Sequence, residues 1–200
     1  MVSAFLMEVV LKVLCLSPYP ERLRHTFSVT GDDVSSTEDK LELNYARQFD
    51  WLVSYGFRRI LKRPILDLFP RRAINLHISF LPYNKGAHPN YWSWAERTPS
   101  GVTIHEIDAG IDTGPIIAQR MICMSKERTF LDTYCQLQRE IEQLFHDTWP
   151  AIRDGKFESF PQMGAGTFHY ARELPEWEGG WSAKISDVIR ERRFTSAHTA

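Results

Sequence analysis

Cysteine is scarce in this chain. Its three copies among 200 residues (Cys15, Cys123 and Cys135) are odd in number and stand at no metal-binding or redox spacing. Neither a disulfide framework nor a zinc module is expected, and a reducing, cytoplasmic location is. Charge of either sign in excess is missing too. Lys and Arg total 24 against 25 Asp and Glu, a net charge of −1, so nothing in the balance calls for nucleic acid as a partner. Long apolar runs are also lacking: Met1–Leu16 is interrupted by Glu8 and Lys12 and has no basic leader. A sheet strand explains it better than a membrane anchor or a signal peptide. There is no Asn-x-Ser/Thr site, internal repeat or low-complexity tract. What is present suits one globular core: 43% hydrophobic, 24% charged and 12% aromatic residues, six of them tryptophan.

Short apolar runs alternate with helix-like segments, the pattern of a mostly parallel α/β sheet flanked by helices. Val9–Leu16 predicts a buried first strand ended by Ser17-Pro18-Tyr19-Pro20, and Phe27–Val29 a weaker second one. Ser35 with Glu38 reads as a capping box for a helix carrying Leu41, Tyr45 and Phe49. Further strands are expected at Asp50–Tyr55, Ala73–Ile78, Val102–Glu106 and Ile116–Met121, and a short helix at Pro64–Phe69. Thr129 opens the longest helix, with Phe130, Tyr134, Leu137, Ile141 and Leu144 on its apolar face and Pro150 disturbing its end. Beyond Gly155 the composition turns to Gly, Pro and isolated aromatics, with a last helix at Ile185–Arg193. The expected division is a main domain over 1–154 and a C-terminal extension over 155–200 packed on it.

Asn75 and His77 stand two apart on a predicted strand and so share a face. After them comes an irregular loop at a strand's carboxyl end, where open α/β sheets hold their ligands. Asp112 lies in a second tight loop, Asp108-Ala109-Gly110-Ile111-Asp112-Thr113-Gly114. A carboxylate there would orient an imidazole for proton transfer, and the asparagine amide would offer a donor to a developing oxyanion. The set suits acyl transfer to an amine. Spacing alone is also compatible with a histidine merely satisfied by hydrogen bonds at a strand end, and with an Asp/Gly turn that has no function. His105 and Asp108 read as a strand end and its turn, and no metal site is expected: no His-Glu-x-x-His or Cys pair occurs. Arg58-Arg59-Ile60-Leu61-Lys62-Arg63 is a basic patch, either a solvated face or an attraction for an anionic ligand. Tyr91–Trp94 reads either as core or as a pocket wall.

Four blocks, in order, resemble the 10-formyltetrahydrofolate-dependent formyltransferase family. They are Gly56–Leu61; the Asn-x-His-x-Ser-x-Leu-Pro string from Asn75 to Pro82; Gly101–His105; and Asp108–Gly114 followed by Ile116-Ile117. The resemblance implies a Rossmann-like fold, Asn75, His77 and Asp112 as catalytic groups, and 10-formyltetrahydrofolate as co-substrate. Folate is expected along Arg58, Arg59, Ile60 and Leu61 and along Asp108 and Ile111. Within the family, Asn84–Trp94 is similar to the acceptor loop of nucleotide-sugar N-formyltransferases, which implies Tyr83, Lys85 and Trp92 at a nucleotide-linked amino sugar. Relative to the family, the half before Asn75 looks shortened and no tRNA-binding domain follows. Self-pairing as a homodimer stays open. Hydrolysis of the formylated folate, transfer to another small amine, and a non-enzymic binding module are the competing readings.

Overall fold

A computed structural model of the chain describes residues 9–196, with side chains through residue 190. The chain runs β1 (Lys12–Leu16), α1 (Pro20–Val29), β2 (Asp33–Thr37), α2 (Leu43–Ala46) and β3 (Trp51–Tyr55), then β4 (Ala73–His77) and β5 (Lys85–Gly86). It continues through α3 (Pro89–Glu96), β6 (Gly101–Glu106), β7 (Ile116–Met121), α4 (Phe130–Arg153), β8 (Phe168–His169) and α5 (Ile185–Ser196). Six strands form the central sheet in the order β2-β1-β3-β4-β6-β7. The first four are mutually parallel, whereas β6 and β7 run antiparallel to their neighbours. This is the Rossmann-like arrangement of a mixed sheet flanked by helices.

Alternation along each strand sorts the sheet into two faces. Val13, Cys15, Trp51, Val53, Ile74, Leu76, Val102 and Ile104 point to one side and pack with Phe27 of α1 and Leu137, Ile141, Phe145 and Trp149 of α4. Leu14, Leu16, Leu52 and Ala73 point to the other, where Leu41, Leu61 and Phe69 cover them. Asn75 and His77 continue that second face beyond Ala73, so the polar pair emerges where the apolar cover ends. Helix α4 is held at its start by a capping box between Thr129 and Asp132. It passes Pro150 without a break and stops at Arg153, where Gly155 takes a left-handed conformation (φ +70°).

Several expectations need correction. Phe27–Val29 is the last turn of α1, not a strand. Pro20 starts that helix, and Leu23 and Phe27 bury its one apolar stripe. The second strand is the polar Asp33–Thr37, which a sheet edge tolerates because only β1 pairs with it. Ser35 therefore caps nothing, and the helix that follows is only Leu43–Ala46. The short helix at Pro64–Phe69 is a single turn, Leu66–Leu68. Cys123, whose sequence context reads as a small buried residue on a strand, instead lies past the end of β7 and is exposed. Tyr91–Trp94, by contrast, agrees with its core reading: it lies on α3, with Tyr91 buried against Phe130 and Trp177. The start of the Met1–Leu16 run, residues 1–8, lies outside the described residues, and none of the described helices is long and apolar enough to cross a membrane.

One buried ion pair ties α4 to the first βαβ unit. Asp32, with its side chain fully buried, accepts from Trp149 Nε1 (2.8 Å) and Arg153 Nε (3.0 Å). Removing the carboxylate leaves a nearly buried guanidinium short of its partner. Asp32→Ala is therefore expected to lose about 3 kcal/mol or more in urea unfolding; a loss under about 1 kcal/mol would show that the pair carries little of the fold.

Candidate active site

The antiparallel pairing of β4 and β6 sets His105 directly beside Asn75 and Thr103 beside His77. His105 and Asn75 thus share the face that His77 also uses, and the hairpin between β6 and β7 curls back to bring Asp112 over them. Asp112 Oδ1 accepts from Asn75 Nδ2 (3.1 Å), and its Oδ2 accepts from the backbone N–H of Gly86 (2.8 Å). His77 Nδ1 stands 3.7 Å from Oδ2, and His105 Nε2 stands 3.5 Å from Oδ1. Asp112 itself adopts a left-handed φ of +53°, a strained conformation for a non-glycine residue. The turn closes because Gly114 passes under the Glu106 carbonyl: a Cβ there would lie 1.8 Å from that oxygen.

Acceptor-only carbonyls fix the proton positions. His77 Nε2 lies 3.1 Å from Asn84 O and His105 Nδ1 lies 2.8 Å from Glu106 O, so each of these nitrogens carries the hydrogen. His105 Nε2 then accepts from Asn75 Nδ2 at 3.2 Å. A continuous chain results, from the Glu106 carbonyl through His105 and Asn75 to the carboxylate. Both amide hydrogens of Asn75 are thereby engaged, by Asp112 and His105, where the sequence reading had one aimed at an oxyanion. His77 keeps Nδ1 as its free edge, facing Asp112 just beyond hydrogen-bond reach. Such contacts are commonly loose without substrate and tighten with it.

Electrostatics at Asp112 are a contest. Burial raises its pKa, but the neighbouring His77 and His105 rings and the Gly86 N–H outweigh that and hold the carboxyl well below the usual carboxylate range. Just before α3, burial and the Arg58 charge lower the pKa of His88, a left-handed residue (φ 55°).

The structure brings Asn75, His77 and Asp112 together. Arg58, Arg59 and Ile60 form an exposed loop after β3, with Arg59 Nε bonded to Glu38 O, while Leu61 is buried. Leu61 shares its apolar cluster with Ile107, which roots the Asp108–Gly114 loop. The tips of the two loops, Ile60 and Ile111, are left 59% and 37% exposed. Asp108 Oδ1 accepts from Gly110 N and Thr113 Oγ1 inside its own turn. Lys85 is half-buried in β5, next to the Gly86 that bonds Asp112, and Tyr83 is half-buried with its carbonyl accepting from Ser79. Trp92 is not part of the polar cluster: its indole stacks on His169 (ring centroids 3.9 Å apart), and its Nε1 is buried without a partner. Sequence reasoning missed His105, because its placement needs the antiparallel register. It placed Asn84 and Gly86 only in the acceptor loop and missed Gln162, because their bonds to the cluster come from backbone or from distant chain. Gln162 Nε2 donates to the carbonyls of Asp112 (2.8 Å) and Gly114 (2.9 Å).

A depressed carboxylate pKa stabilises the fold above the unfolded-state value of about 3.9, and that contribution fades as pH falls below it. The stability gap between wild type and Asp112→Asn is therefore expected to be full at pH 6 and to shrink near pH 3, read as urea midpoints. A gap that stays constant with pH would mean that the donors around Asp112 do not hold its charge.

Residues 32–148, more than half of the chain, match the family model described as formyl transferase. Among solved structures, the chain is similar to the formyltransferase PseJ from Anoxybacillus kamchatkensis at 42% identity and a TM-score of 0.84, covering 89% of this chain and 97% of that one. PseJ was crystallised with UDP-4,6-dideoxy-4-formamido-L-AltNAc and tetrahydrofolate. Rv3404c from Mycobacterium tuberculosis matches at 25% identity and a TM-score of 0.74, covering 91% and 85%. A sugar N-formyltransferase from a Shewanella species shares the fold at 18% identity and a TM-score of 0.75, covering 90% and 85%.

Proposed function

The chain belongs to the formyl transferase family and is a formyltransferase enzyme, and on that premise we propose that it formylates the primary amine of a nucleotide-linked amino-deoxy sugar. The observation that carries this reading is the likeness to PseJ over nearly the whole of both chains, with a UDP-linked 4-formamido sugar and tetrahydrofolate bound there. We assign residues 1–154 to the catalytic domain and 155–200 to an extension that completes it.

The two isoleucines at the loop tips support a folate site. Ile60 and Ile111 are apolar side chains open to solvent on loops that share one buried root, and a flat aromatic ring system would cover both. Arg58, Arg59, Ile60 and Leu61 would line one side and Asp108 and Ile111 the other, with Tyr83, Lys85 and Trp92 on the acceptor side. Bound there, 10-formyltetrahydrofolate supplies an electrophilic formyl carbon.

The chain's own groups then have distinct tasks. His77, with its Nε2 hydrogen given to Asn84 O, moves protons at Nδ1: it takes one from the attacking amine and returns one toward the leaving nitrogen. Asp112 stands beside Nδ1 and stabilises the imidazolium while that proton is held. Asn75 releases one amide hydrogen from Asp112 to the oxyanion, since Gly86 N–H and His77 still hold the carboxylate. His105 fixes the amide plane of Asn75 from behind. Removal of a general acid/base typically lowers the rate by about 10²–10⁴-fold.

Two outcomes test the reading. With 10-formyltetrahydrofolate present, a UDP-linked 4-amino-4,6-dideoxy sugar is expected to be formylated, and purified, folded His77→Ala to turn over at least about 100-fold more slowly. Formate release that ignores every nucleotide-linked 4-amino and 3-amino sugar would replace the transferase with a hydrolase. Wild-type turnover by His77→Ala would remove the imidazole from the chemistry.

A further inference from the structure

Residues 159–169 cross both loops that hold the polar cluster. Phe160 exchanges two backbone hydrogen bonds with Ile116 (2.8 and 2.9 Å), which anchors the segment on the edge strand β7. Gln162 then spends both amide hydrogens on the carbonyls of Asp112 and Gly114, astride the strained turn. Farther on, Gly166 passes so close to Pro82 that a Cβ would fall 2.0 Å from its carbonyl oxygen. Thr167 Oγ1 accepts from Asn84 N (2.8 Å) and donates to Asn84 Oδ1 (3.2 Å), and Thr167 O accepts from Lys85 N (3.0 Å). Asn84 is the residue whose carbonyl accepts from His77 Nε2. One segment therefore grips the Asp112 turn with one residue and the hydrogen-bond partner of His77 with another.

We infer that residues 159–169 are a clasp that sets the spacing of the His77–Asp112 pair, with Gln162 and Thr167 as its positioning residues. The inference rests on the assignment of that pair to catalysis. Its physical basis is that Asn84 and Asp112 lie on loops outside the strand ladders: the sheet's own bonds to the first loop, from Thr103 and Gln119, reach Ser79 and Leu81 rather than Asn84. Asp112 sits in a left-handed conformation that persists only when its surroundings over-determine it. The 3.7 Å gap between His77 Nδ1 and Asp112 Oδ2 also leaves little tolerance for drift. Displacement of a reacting group by about 1 Å costs on the order of 10²-fold in rate.

Gln162→Met keeps the volume and removes both donors, while Thr167→Val removes the hydroxyl and Thr167→Ser restores it. Gln162→Met and Thr167→Val are expected to lower kcat by roughly 10–100-fold with KM for both substrates little changed, and Thr167→Ser to recover most of the loss. In an Asp112→Asn background Gln162→Met should add almost nothing, because it acts through that carboxylate. A readout without substrate accompanies these: carbon-detected NMR titration of Asp112, faced by His77 and His105, should move up toward about 3.9 in Gln162→Met. Unchanged kcat, a rise in KM alone, full additivity with Asp112→Asn, or an unmoved titration would each overturn the clasp. If Gln162→Met does not fold, the Thr167→Val and Thr167→Ser pair decides on the same terms. A wild type that formylates no amine refutes the proposed function and leaves the titration to judge the clasp. An active wild type with indifferent variants refutes the clasp alone.

Discussion

A charge taken out of water must be surrounded by donors, and the Asp112 carboxylate imposes that demand on every element near it. Its donors come from separate parts of the chain, Asn75 on β4, backed by His105 on β6, and the Gly86 backbone on β5, while the His77 ring edge faces it. To deliver them, β4 and β6 must pair antiparallel in one register, because a slip of one residue would turn His105 to the apolar face. The hairpin must fold back tightly, which only glycine at position 114 permits. The polar cluster thus dictates the geometry of the sheet's second half, while the apolar packing of α1 and α4 dictates the first.

This division explains what the sequence discloses. Strands β1, β3, β4 and β6 are buried on both faces or nearly so and read as apolar runs, and α4 shows its stripe over many turns; all were legible. β2 was not, because an edge strand half open to water can be written Asp-Val-Ser-Ser-Thr without cost, and so resembles a loop. Asn75 and His77 stand two apart and so share a face, but that spacing alone fits a satisfied strand-end histidine as well. Asp112 was legible only through family resemblance, since an Asp/Gly turn carries no distinguishing spacing. His105 needs a strand direction that periodicity does not contain, and Gln162 bonds a residue 50 positions away. Local pattern has no access to either.

The fold and the chemistry meet at the sheet's second face. There the apolar cover of Leu14, Leu52 and Ala73 gives way to Asn75 and His77, and the loops that end the cover, at Leu61 and Ile107, are the same loops that present Ile60 and Ile111 to solvent. An apolar shelf beside a polar cluster is the arrangement expected where a flat donor lies next to the group that moves its proton. Residues 162–169, in the stretch whose composition reads as an appendage, bond both loops of the cluster and pair β8 with β5.

A crystal structure of the chain with tetrahydrofolate and a formylated nucleotide-linked amino sugar tests the central claim most directly. The account predicts the folate ring against Ile60 and Ile111, and the formamide oxygen about 3 Å from Asn75 Nδ2 with His77 Nδ1 in reach of its nitrogen. A formamide seated out of reach of both side chains, or a folate ring bound away from the two isoleucines, would contradict it.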